Sequence, residues 1–215
     1  MAIAQRSGDL SNSPAGKRRL TRTRWRRWRA RFSVPAMLAS CDEQRVISVV
    51  TAVNGGLVII MLGLFTWLAG LPLIFPALGP SAFILFSKPL SVAAAPRCVI
   101  MGHLIAMISG YIVWSLASLV YGAPITLAAG ELPLACSASL ALGLTCLLLV
   151  RLSCPHPPAC ASSLIVAMGG VEGPVGLLMM LLAVVWLTFQ AVAANRLVNV
   201  PVPLWAPRAG VSTES

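Results

Sequence analysis

The strongest constraint on this chain is an interruption. Between the apolar runs 132–150 and 161–169 stands Ser153-Cys154-Pro155-His156-Pro157-Pro158-Ala159-Cys160. Three prolines in four positions cannot continue an α-helix, because each lacks a backbone N–H and biases the residue before it toward extended geometry. The chain must break here. In water such a break is an ordinary loop. In lipid, non-helical backbone is tolerated only where protein or a wet cavity covers it. His156, the one ionisable group of the break besides its thiols, is therefore the first functional candidate.

Composition decides that the flanking runs lie in lipid. The chain has 215 residues, 58% of them apolar and 10% charged, with a mean hydropathy of +0.86. That is too hydrophobic for a soluble domain of this length. Residues 46–70, 98–120, 132–150 and 174–195 are each long and apolar enough to span the hydrocarbon core as a helix. Residues 71–87, broken by Pro72, Pro76 and Gly79-Pro80, and residues 159–169 are shorter and interrupted. Small residues at Gly56, Gly63 and Gly70, and at Gly102 and Gly110, would let helices approach and permit self-association of the chain as a homo-oligomer.

Charge divides the chain into a basic tail at 1–45, a transmembrane region at 46–197 and a second tail at 198–215. The first tail holds 11 Lys and Arg against Asp9, Asp42 and Glu43. Its arginines interleave with Trp25 and Trp28 over 17–31 and lie close to the first span. This suits contact with anionic lipid headgroups and a cytoplasmic location better than nucleic-acid binding. The six cysteines are scattered through apolar runs and read as small buried residues rather than a disulfide framework.

The loop charges and a spacing suggest an internal repeat. Pro80 to Pro96 is 16 residues, and so is Pro158 to Pro174. With the amino-terminal tail in the cytoplasm, six crossings place Lys88, Arg97, Arg151, Arg196 and Arg208 inside, and Glu131 and Glu172 outside. Four crossings would put Lys88 and Arg97 on the wrong side. The expected fold is thus an all-α polytopic bundle of about six crossings, a 3+3 inverted repeat with two proline-broken short helices and both termini in the cytoplasm.

In that arrangement the short helices start within the membrane and approach its middle from opposite faces. A helix start presents N–H groups and roughly half a positive charge, and so favours an anion. The candidate substrate site is Gly79, Pro80 and Ser81 with His156, Pro157, Pro158 and Ala159. His103 and Arg97 are outer candidates. A protonated His156 would strengthen anion binding and could couple transport to a proton. Catalysis is not indicated: no paired carboxylates, Ser/His/Asp set or phosphate-cradling loop occurs in the membrane region. Neither a metal nor an organic cofactor is implied, since the C-x-H-x-x-x-C spacing of Cys154, His156 and Cys160 fits no common zinc pattern.

Leu78-Gly79-Pro80-Ser81-Ala82, the run from Pro89-Leu90-Ser91 through Ala95-Pro96-Arg97 to Gly102-His103, and His156-Pro157-Pro158-Ala159 resemble the HPP family of integral membrane proteins over roughly residues 45–197. The resemblance implies about four transmembrane helices, fewer than the loop charges suggest. It also implies a transport role, a plastid member being associated with nitrite. The expectation is an inner-membrane transporter or channel for a small inorganic anion, with nitrite or a similar oxyanion leading. The alternative is a non-transporting anchor or assembly protein that works through its basic tail.

Overall fold

The computed structural model describes residues 33–70, 73–171 and 173–206. The tail segment 17–31, Glu172 and Arg208, to which the sequence assigned lipid contact and membrane sidedness, lie outside these residues. Among the described residues there are seven α-helices, in order: α1 Val34–Leu38, α2 Glu43–Ala69, α3 Leu78–Ser87, α4 Pro96–Tyr121, α5 Glu131–Arg151, α6 Ala159–Ala167 and α7 Gly173–Leu197. A 3-10 turn at Val92–Ala94 joins α3 to α4.

Helix ends fall where local chemistry stops them. Asp42 caps α2, its carboxylate accepting the Arg45 N–H at 3.0 Å. Ser33 caps α1 in the same way, and Pro96 opens α4, where its missing N–H costs nothing. At the far ends, Gly70 and Gly122 close α2 and α4 with φ of 66° and 71°, a left-handed turn that glycine adopts without strain. Glu131 in the first turn and Arg151 in the last complement the dipole of α5.

Four helices, α2, α4, α5 and α7, are long and apolar enough to cross a membrane, which matches the number the family resemblance implies. The shortest, α5 with 21 residues, reaches about 32 Å at roughly 1.5 Å per residue, against a hydrocarbon core of about 30 Å. Their outward faces carry large apolar side chains such as Trp67, Leu119, Val120, Leu132, Val150 and Val175, each more than two-thirds exposed. A bundle apolar outside as well as inside is one that lipid solvates.

The two short helices are seated differently. α3 packs between α2 and α7 in an apolar cluster that includes Leu62, Leu78, Ala82, Leu85, Val184 and Leu187. α6 packs on α4 and α5. Ahead of α6, Cys154 lies against Ala95 and Cys98 at the start of α4. Behind it, Gly169 sits so close to the Ile125 carbonyl, in the loop after α4, that a Cβ there would collide. The segment therefore runs alongside α4 for most of its length. The described ends meet on the side where α4 begins: Val34 N–H donates to Val198 O at 3.1 Å, and Arg97 N–H to Trp205 O at 3.0 Å.

The glycines expected to admit neighbouring helices divide. A Cβ on Gly110 would stand 2.7 Å from the Ser163 carbonyl oxygen and 3.0 Å from Val166 Cβ, and one on Gly102 would stand 3.0 Å from His156 Cβ. Both glycines are what lets α6 and its lead-in press onto α4. Gly56 by contrast faces open space, and Gly63 has ordinary contact with Ile74. Among the described residues, nothing stands within 4 Å of a Cβ built on Gly56 or on Gly70.

Candidate functional site

Four fully buried polar side chains from three elements and a loop meet in the bundle. Ser81 comes from the first turn of α3, His103 from the eighth position of α4, His156 from the proline-bound lead-in to α6, and Ser162 from α6 itself; each is 0% exposed. Ser81 Oγ stands 3.0 Å from His103 Nε2 and 3.1 Å from His156 Nε2. The two imidazoles are tilted at 59° with centroids 5.1 Å apart. On their far sides, His103 Nδ1 lies 2.7 Å from Ser162 Oγ, and His156 Nδ1 lies 2.8 Å from the Ala93 carbonyl oxygen. No ring nitrogen is left without a partner. That is the condition for burying imidazoles at modest cost.

The sequence explains how each group arrives. Pro155, Pro157 and Pro158 hold the chain out of a helix at His156, so its side chain enters the bundle from a lead-in rather than from a helix face. Gly102 leaves the room it needs, since any larger residue would press on His156 Cβ. Ser81 sits one turn into α3, and its hydroxyl also lies 2.9 Å from the Ala77 carbonyl.

The other expected site residues are dispersed around this cluster. Pro158 and Ala159 are buried beneath it, whereas Gly79, Pro80 and Pro157 are exposed. Arg97 is exposed at the start of α4, while His103, an outer candidate from sequence, stands at the centre. The amides opening the two short helices are already engaged. Leu78 and Gly79 donate to Phe75 O and Pro76 O, and Ala159, Cys160 and Ala161 donate to the carbonyls of His156, Pro157 and Pro158. In this arrangement the polar atoms at the cluster thus come from side chains and from Ala93 O.

Residues that sequence reasoning passed over continue the polar region through α5 and α6. Thr145 Oγ1 donates to Ser163 Oγ at 2.8 Å, and Ser137 Oγ donates to Ala167 O at 2.7 Å. Ser109 Oγ, also fully buried, has no partner. Their signal was visible: Ser162-Ser163 is a hydroxyl pair inside an otherwise apolar run.

A cavity of about 1060 Å³ approaches the cluster from the side where the described chain ends meet. Exposed Lys88, Leu90, Leu38 and Pro157 line it, together with the half-buried Ala93 and Pro155. Ser87 Oγ, buried and unpartnered, lines it as well. Ala93, whose carbonyl faces His156 Nδ1 at 2.8 Å, is one of the residues lining this space. Among the described residues, no group of three or more His, Cys, Asp or Glu is arranged to hold a metal ion.

A family model described as HPP, transmembrane region, matches residues 42–203 of the chain. No curated protein and no solved structure matches it.

Proposed function

The chain belongs to the HPP transmembrane family, and from that premise we propose that it carries a small anion across the membrane, nitrite or a similar oxyanion being the leading substrate. The observation that carries this reading is the meeting of Ser81 and His156, 75 residues apart, through a hydroxyl and a ring nitrogen at 3.1 Å inside a lipid-facing bundle. Ionisable groups at membrane depth are costly and tend to mark substrate or proton pathways. Here two imidazoles and a hydroxyl converge next to a cavity that Lys88 helps to line. An anion entering by that cavity is held by the Ser81 hydroxyl together with the two Nε2 atoms, the dipoles of α3 and α6 adding to the field there.

Six crossings in two inverted halves account for this geometry. Exchanging α2, α3 and α4 with α5, α6 and α7 maps the packing onto itself. α3 lies on α2 of its own half and α7 of the other, and α6 lies on α5 of its own half and α4 of the other. In this reading 73–87 and 152–169 are discontinuous crossings that hold the site between them, as in transporters that work by alternating access. The termini then face the cytoplasm of a bacterial-type inner membrane, with Lys88, Arg97, Arg151 and Arg196 on that side.

The test is flux of nitrite, nitrate, formate and chloride into proteoliposomes. Selective nitrite flux is expected, falling at least about tenfold in Ser81→Ala and His156→Ala, the effect of losing a contact worth about 1.4 kcal/mol. Absence of flux for every anion, from protein that elutes and melts as a folded species, would overturn the reading in favour of an anchor or assembly role. Labelling of cysteines introduced at 88–97 and at 122–130 should come from opposite sides of the membrane; labelling of both from one side would remove the inverted repeat.

A further inference from the structure

Ser81 Oγ carries one proton and has three polar neighbours: Ala77 O at 2.9 Å, His103 Nε2 at 3.0 Å and His156 Nε2 at 3.1 Å. A carbonyl only accepts, and a hydroxyl donates once while accepting at two lone pairs. Across the second ring, His156 Nδ1 faces another pure acceptor, the Ala93 carbonyl. Nδ1 therefore holds a proton in every bonded arrangement. The variable atom is His156 Nε2.

When that ring is neutral, Nε2 is bare and Ser81 turns its O–H onto it. The hydrogen bonds then run in one direction: Ser162 O–H to His103 Nδ1, His103 Nε2–H to Ser81 Oγ, Ser81 O–H to His156 Nε2, and His156 Nδ1–H to Ala93 O. When Nε2 gains a proton from solvent it becomes the donor. Ser81 then rotates its O–H to Ala77 O, an acceptor already in place. Both states satisfy all the cluster's side-chain atoms. They differ by one proton and one hydroxyl rotation.

Among the described residues no acidic side chain is placed against the charge this creates. From α4 the ring faces His103 and, through Cys154, the Cys98 thiol; α3 and the turn at 92–94 offer it Ser81 and the Ala93 carbonyl. The cations on these elements, Lys88 and Arg97, are exposed at their ends. Glu131, the acid on α5, is 18 residues and so about 27 Å of helix from Leu149, which packs under Gly102. A buried imidazolium without a counter-charge costs several kcal/mol, and so does a buried anion.

Building on the anion-transport reading, we infer that the Ser81, His103 and His156 cluster is a proton-binding site that loads together with the anion, one proton on His156 Nε2 for each monovalent anion. The pair enters the bundle neutral. Carriage is electroneutral and driven by a pH gradient, and voltage does not drive it.

The test uses the full-length protein in nanodiscs of neutral lipid, in weak buffer with a pH indicator and with sodium nitrite as the probe. Calorimetry on the same sample measures binding. Uptake of about one proton per nitrite bound is expected. It should disappear in His156→Asn, which keeps an amide donor toward Ala93 O but has no titrating nitrogen. Nitrogen NMR of isotope-labelled wild type reads the same switch without a variant: His156 is protonated on Nδ1 alone before nitrite and on both nitrogens after it. In proteoliposomes, an imposed voltage of either sign should leave initial nitrite flux unchanged while an acid gradient raises it. Nitrite binding without proton uptake, an Nε2–H tautomer before nitrite, or flux that follows voltage overturns the coupling and leaves anion transport standing. Neither binding nor flux for any anion removes both.

Discussion

The two short helices do the same topological work and are held by different physics. α3 lies in an apolar seat, its Leu78, Ala82, Leu85 and Phe86 against Leu62 of α2 and Val184 and Leu187 of α7; away from the histidine cluster its main directional tie is Asn195 Nδ2–H to Leu85 O at 2.9 Å. α6 lies in a polar seat. His103 with Ser162, Thr145 with Ser163 and Ser137 with Ala167 O tie it to α4 and α5 at 2.7–2.8 Å, and Gly102 and Gly110 bring its backbone onto α4. Hydrogen bonds and glycine contacts fix both rotation and position along the axis, whereas apolar contacts fix mainly the fit. The contrast teaches that His156 and Ser162 belong to a firmly placed half. Ser81 rides on an element seated mainly by apolar contacts, with Asn195 and the histidine cluster as its directional ties.

The most damaging way to break the contrast is to spoil the glycine contact. Gly110→Leu places side-chain atoms where the Ser163 carbonyl and Val166 already stand, 2.7 and 3.0 Å from the first added carbon. Loss of the folded species is expected, read by size-exclusion elution and thermal melting in detergent. A variant that elutes and melts as wild type would mean that α6 moves aside cheaply, and the two seats would be alike.

A smaller effect tests the apolar seat. Leu187→Ala removes a fully buried side chain from the cluster under α3 and should cost about 2–5 kcal/mol in a denaturant titration in detergent. The protein should remain foldable, because the loss is spread over surface that can partly close. A cost below about 0.5 kcal/mol would place α3 elsewhere than in this niche.

The smallest expected effect sharpens the picture of the polar seat. Thr145→Val keeps the shape and deletes the hydrogen bond to Ser163 Oγ, for a stability loss of about 0.6 kcal/mol, typical of such bonds within membranes. A loss of several kcal/mol would mean that the bond supports the whole cluster rather than adding to it.

Much of the fold was legible because prolines and apolar runs act locally. The break ahead of α3, the one at Pro155–Pro158 and the four long helices follow from which residues lack a donor and from how long each apolar run is. Ser81 and His156 could be singled out separately, since each is a polar group beside a proline break. That they touch could not be read, and neither could the central place of His103. Contacts across 22 and 75 residues depend on how helices pack.

Packing itself was hidden for a physical reason. In water, an apolar stripe reports the buried face of a helix; in lipid, core and lipid faces are equally apolar, so the pattern carries no direction. On α2, Leu62 is fully buried while Leu64 is exposed, and Gly56 faces open space although Gly110 on α4 touches backbone. The sequence alone determined a membrane chain of four long helices and two proline-broken short ones, because backbone hydrogen bonding and burial in hydrocarbon dictate that at each residue. Only the tertiary structure decided that Ser81, His103, His156 and Ser162 form one cluster with Ala93 O, because that depends on which apolar faces meet, and every face of these helices is apolar.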